Sequence, residues 1–154
     1  MIRHSDSIDI GAPVSDVFVF ISNVENLPKF QSDVVQSRPL SGEPMRAGTK
    51  FEEVVNILGK KVETVCEVTE YQPTRRFGFR SISSSRIAYG GTIDLEPNGR
   101  GTRVTIHADV ALKGWMRVVE PLFKTELKQG VKKELRALKA LLEDEGRLQH
   151  GQKH

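Results

Sequence analysis

Two side chains able to move a proton fall on strand positions that face inward. Glu53 shares one face of an alternating stretch with Phe51, Val55 and Ile57, because a period of two puts such residues on the same side of a strand. Tyr89 shares its face with Ile87 and Ile93. A carboxyl group taken out of water has its pKa raised, which suits a general acid or base. A phenol on an apolar face can anchor a ligand carbonyl or hydroxyl, or stabilise an enol. Glu53 and Tyr89 are therefore the candidate catalytic pair, and each has a plainer alternative. Strand twist or an arginine at the rim would make Glu53 structural, and a backbone partner would make Tyr89 an ordinary core tyrosine. Gly90 and Gly91 beside it mark a bulge or a close backbone approach.

Around this pair stand residues suited to contact rather than chemistry. Thr64, Cys66 and Ser81 are small polar residues on inward faces, able to give weak polar contacts or simply to pack. Phe18, Phe30, Phe51, Val55, Phe77, Phe79, Trp115, Val119 and Phe123 form the apolar set, as cavity lining or as core. Cys66 has no histidine expected near it, so a nucleophilic role is poorly supported. The histidines at 4, 107, 150 and 154 show no metal-ligand spacing, so neither a metal nor a cofactor is expected. No phosphate-binding loop, dinucleotide fingerprint or nucleophile elbow is present.

The elements that must position these residues read clearly. Ile2–Ile10 is a first strand, and Gly11-Ala12-Pro13 ends it. Pro13 sits where its missing N–H costs nothing, at the start of a short helix over Val14–Ser22. Asn23 can cap a second short helix over Glu25–Gln31. Strands are expected at Val34–Arg38, Thr49–Leu58, Lys61–Tyr71, Arg75–Ser81, Arg86–Glu96 and from Arg103 to Leu112, with tight turns at Gly59-Lys60 and Pro97–Gly101 and a loop at Ser83–Ser85. From Trp115 to about Glu145 apolar residues recur in steps of three and four, at Val119, Leu122, Phe123, Leu127, Val131, Leu135, Leu138 and Leu142, the stripe of one long amphipathic helix. Pro121 either interrupts this helix, leaving Trp115–Glu120, bracketed by Gly114 and Pro121, as a lid or entrance, or marks its true beginning. The class is α+β: one strand, two short helices, six hairpin-linked strands and a long helix. So long a stripe needs a broad, curved antiparallel sheet to cover it, which is the shape of a container.

Composition narrows the partners. The 154 residues carry a formal net charge of +3, with 38% hydrophobic, 28% charged and 6% aromatic residues. That suits one soluble domain, expected over residues 1–145 with a polar tail at 146–154 that frays. Weak charge and few aromatics argue against nucleic acid. Lys124, Lys128, Lys132 and Arg136 recur at i+4, either a solvated face balanced by Glu126 and Glu134 or a contact for a weakly held anionic membrane surface. Cys66 is the only cysteine, which fits a reducing, cytoplasmic setting. Neither a signal peptide nor a run of about 20 apolar residues is seen, and oligomeric state leaves no trace.

The order of elements, with Ala12-Pro13-Val14-Ser15-Asp16-Val17-Phe18 opening the first helix, resembles the polyketide cyclase/dehydrase and lipid-transport family of the START-like (Bet v 1-like, SRPBCC) superfamily. Asn23–Phe30, Gly48-Thr49-Lys50-Phe51 and the stretch from Pro121-Leu122-Phe123 to Leu138-Lys139 are similar too. The resemblance covers about Ile2 to Glu143. It implies a helix-grip fold, in which a seven-stranded sheet wraps the long helix around a cavity. The Gly-rich loop of the plant pathogenesis-related branch is absent. What the resemblance implies for function is binding of a small or medium hydrophobic molecule, such as a lipid, polyketide or quinone-like compound. The alternative is a cyclase or dehydratase using Glu53 and Tyr89 in the same cavity. A third reading is an interaction protein that works through the basic helix face.

Overall fold

The computed structural model describes residues 1–83 and 86–152. Ser84 and Ser85 of the expected loop, and Lys153 and His154 of the expected tail, lie outside the described residues. The strands are β1 (Ile2–Ile10), β2 (Val34–Pro39), β3 (Lys50–Ile57), β4 (Lys60–Gln72), β5 (Arg76–Ser81), β6 (Ile87–Asn98) and β7 (Gly101–Leu112). The helices are α1 (Val14–Ser22), α2 (Leu27–Phe30) and α3 (Glu120–Gln152). All the strands join one antiparallel sheet in the order β1-β7-β6-β5-β4-β3-β2. The chain crosses from one edge of this sheet to the other through α1 and α2, the longest connection between successive strands.

Local chemistry explains each junction. Asn23 Oδ1 accepts from the Glu25 N–H at 3.1 Å, capping a short 3-10 turn that runs directly into α2. Thr102, fully buried, donates its hydroxyl to the Ala12 carbonyl at 2.8 Å, tying the end of β1 to β7. The β3–β4 turn is Leu58-Gly59, both residues with positive φ of 51° and 82°, one residue earlier than expected. Two residues in the left-handed region match the twist of the strands they join. Two glycines of β6 sit where the neighbouring strands come close: a Cβ on Gly90 would lie 2.6 Å from the Phe79 carbonyl oxygen, and one on Gly91 would collide with the His107 carbonyl. This close approach is the reason for glycine at both positions.

The long helix differs from expectation at its start. Gly114–Val119 forms a 3-10 segment, and α3 begins at Glu120 with Pro121 in its first turn. Pro121 thus opens the helix instead of kinking it, since a first-turn N–H has no intrahelical partner to lose. The second half of α3 packs on β1. Val131, Leu135, Leu138 and Leu142 are buried along the helix. Lys139 Nζ donates to the Asp9 carbonyl at 2.8 Å, and the Gly11 N–H donates to Glu143 at 3.1 Å. The first half has no such anchor. Leu122 is exposed rather than part of the buried stripe, and Phe123 and Leu127 are half-buried. Between this half and the concave face of the sheet lies open space.

Candidate functional site

That space is a cavity of about 400 Å³. Its floor is Phe77 and Phe79 on β5, with Ile93 on β6 and Ile106 on β7. Val55 and Ile57 form one wall, Ile87 and Tyr89 another, and Phe123, Leu127, Gly130 and Val131 of α3 form the roof. The mouth is edged by Asp33, Asn56, Leu58, Gly59 and Glu126, all exposed to solvent. Gly91 adds no side chain to the inward row of β6, so the floor stays hollow there.

One place on the wall carries a hydrogen-bonded polar cluster. Glu53 is 1% exposed, because β3 pairs on both sides, with Ser37 and Thr64 as its cross-strand partners. The Tyr89 hydroxyl donates to Glu53 Oε1 at 2.5 Å, and the Cys66 thiol donates to the same oxygen at 3.6 Å. Tyr89 is itself held by its N–H donating to Ser81 Oγ at 3.0 Å. The second carboxylate oxygen, Oε2, is buried with no hydrogen-bond partner among the described residues. Burial pushes the Glu53 carboxyl above the usual carboxylate range, against the opposing pull of the two donors. Burial first, and then the neighbouring Glu53 charge, push the Tyr89 phenol and the Cys66 thiol up, so both stay protonated at neutral pH.

Across the cavity, Glu134 on α3 adds a second inward acid. Burial, followed by the nearby charges of Asp33 and Glu53, raises its pKa to about 8. Asp33 at the mouth is raised as well, by burial and then by Glu126. The sequence had suggested Glu134 as a solvated counter-charge to the lysines. Its position corrects this, and a signal was present: Glu134 lies three residues after Val131 and four before Leu138, on the apolar face.

The residues singled out from the sequence separate into groups. Glu53, Val55, Phe77, Phe79, Tyr89 and Phe123 line the cavity. Phe18, Phe30, Phe51, Thr64, Cys66 and Ser81 are buried but stand behind the lining. Phe51 packs edge-on against Phe79 at 5.2 Å, and Phe18 against Tyr71 at 5.3 Å. Two placements are corrected. Trp115 is 61% exposed and Val119 is half-buried, and neither reaches the cavity. The cause is the 3-10 geometry of Gly114–Val119, whose three residues per turn break the phase that a continuous helix would have kept. Lys124, Lys128, Lys132 and Arg136 are all exposed. Among the described residues, no three of His, Cys, Asp or Glu stand close enough together to hold a metal ion.

The family model for polyketide cyclase/dehydrase and lipid transport matches residues 1–143. The chain belongs to this family. No curated protein matches the sequence. Among solved structures, the chain is similar to a START superfamily protein from Mycobacterium smegmatis, at 16% identity and TM-score 0.77 over 92% of this chain and 97% of that one. It is similar to the ZhuI aromatase/cyclase from a Streptomyces species, at 11% identity and TM-score 0.76 over 92% and 93%. A protein from Thermus thermophilus aligns at 24% identity and TM-score 0.74 over 90% and 94%. At these identities the likeness is one of fold, and the fold is START-like. Within the described residues no helix is long and apolar enough to cross a membrane.

Proposed function

We propose that this member of the polyketide cyclase/dehydrase and lipid-transport family binds a small or medium-sized hydrophobic molecule, such as a lipid, polyketide or quinone-like compound, between the sheet and α3. The observation that carries this reading is the cavity of about 400 Å³, within the range of small-molecule sites. Aliphatic and aromatic side chains make up the floor and much of the walls and roof, so binding would come chiefly from apolar surface removed from water, at about 25 cal/mol per Å². Phe77 and Phe79 form the floor and leave the volume open. Gly130 supplies the test. It lies in the roof, and a Cβ added to it meets no atom within 4 Å. Gly130→Phe is expected to keep the fold by circular dichroism and to abolish the ligand seen by native mass spectrometry of the protein purified from its own host. Retention of the same ligand by the variant would rule the cavity out.

A second reading, proton-transfer catalysis of the cyclase or dehydratase kind, is favoured by one observation. The Tyr89 hydroxyl and the Glu53 carboxyl meet within 2.5 Å at the cavity wall. Glu53 would act as base or acid through its unpartnered oxygen, and Tyr89 would hold the carboxyl in place.

A further inference from the structure

The charged groups of the cavity are all of one sign. Glu53 and Glu134 lie inside, Asp33 and Glu126 edge the mouth, and no lysine or arginine lines it. The remaining charged or titratable side chains near the lining are spent elsewhere. Asp109 pairs with Arg80 at 2.9 Å, and His107 bridges Asp94 at 3.2 Å and Ser5 at 2.7 Å, all on the convex face of the sheet. Lys133 acts on Asp33 from outside the lining. Tyr89 and Cys66, facing Glu53 from β6 and β4, are donors already committed to its Oε1.

Acidic residues in a cavity do not by themselves define a ligand. The deciding feature is Glu53 Oε2, an acceptor on a 1% exposed side chain that lines the cavity and has no partner. A buried carboxylate oxygen left without a donor is costly, so the site calls for a donor from a ligand. The acids are too dispersed for a metal ion. An ammonium group suits them better, since it has up to three donors and a positive charge while its organic body can occupy the apolar floor.

We propose that the cavity selects ligands bearing a protonated amine on an apolar body, with the ammonium between Glu53 and Glu134 and with Asp33 and Glu126 drawing the cation toward the mouth. This deepens the cavity-binding reading and rests on it. A cation arriving near Glu134 favours its ionised form, so binding near neutral pH expels a proton from a carboxyl that titrates at about 8 in the free protein. Amine affinity therefore rises with pH until the carboxyls are ionised.

The test uses three probes of one shape: 1-naphthylmethylamine, 1-naphthalenemethanol and 1-naphthoate, titrated calorimetrically into the intact protein. The amine is expected to bind at least ten-fold more tightly than the alcohol, and the naphthoate most weakly. Between pH 6 and pH 8 the amine affinity should rise several-fold, with proton release seen as a dependence of the heat on buffer ionisation enthalpy. Glu53→Gln and Glu134→Gln, both isosteric, should each weaken the amine at least five-fold and weaken the alcohol by a smaller factor, since only the amine loses a charge partner. Alcohol binding as tight as the amine, blocked by Gly130→Phe, overturns the amine assignment while the cavity reading stands. Failure of all three probes to bind counts against both.

Discussion

At the scale of single residues, Glu53 shows how neighbours set the chemistry of a group. One of its oxygens takes two donors, from Tyr89 and Cys66, and the other takes none. The donors favour the carboxylate and burial favours the acid, and burial prevails. A carboxyl of this kind could pass a proton to or from a bound ketone. If the catalytic reading is right, the protein in D2O will exchange the acidic C1 protons of 2-tetralone, followed by NMR, at least ten-fold above the buffer rate. Glu53→Gln will remove that excess, since a positioned base contributes about 10²–10⁴-fold. Exchange at the buffer rate in the parent protein would sink the idea. The inward position of both residues was legible in the alternation of their strands. Their mutual contact was not, because 36 residues separate them and it arises from the successive pairing of β3 with β4, β4 with β5 and β5 with β6.

At the scale of elements, the turns and helix ends followed from local rules, and the departures have local causes. Pro121 began a helix because a first turn tolerates it. Trp115 and Val119 left the expected stripe because the segment before it is 3-10. Leu58 is another local compromise, a β-branch-free but bulky residue with φ of 51° at the exposed edge of the cavity mouth. Left-handed backbone costs such a residue about 1–2 kcal/mol, whereas Asn-Gly suits the turn. Leu58→Asn is expected to stabilise the protein by about 1 kcal/mol, raising its melting temperature by about 2–4 °C for a chain of this size. Calorimetry showing no rise, or a fall, would mean that the Leu58 side chain contributes more by contact than the backbone loses.

At the scale of the molecule, the interior acids shape stability. Glu134 titrates at about 8 when folded, against 4.5 for an ordinary glutamate, and Glu53 and Asp33 shift in the same direction. The folded state therefore binds protons more tightly than the unfolded chain between those values. Their contribution is complete below about pH 4.5 and is lost as pH rises through the folded pKa. The denaturant midpoint is expected to fall between pH 5 and pH 8.5. Glu134→Gln should flatten that profile and add on the order of 1–2 kcal/mol at pH 8, after allowance for screening at a half-buried site. A parallel decline in the variant would show that Glu134 is better solvated than its position implies.

Periodicity and turn chemistry, acting over a few residues at a time, determined the strands, the two short helices, the long helix and the α+β class. They also marked Glu53 and Tyr89 as inward. Only the tertiary structure decided what those positions face. A strand pattern reports which side is buried but not whether that side meets a neighbour or a void. Here the answer depends on the close approach of β6 to β7 at Gly91, which leaves the inward row without a side chain there, and on α3 being tied to β1 through Lys139 and Glu143 of its second half. Those two long-range facts leave the cavity open, bring Glu134 in opposite Glu53, and put Trp115 outside.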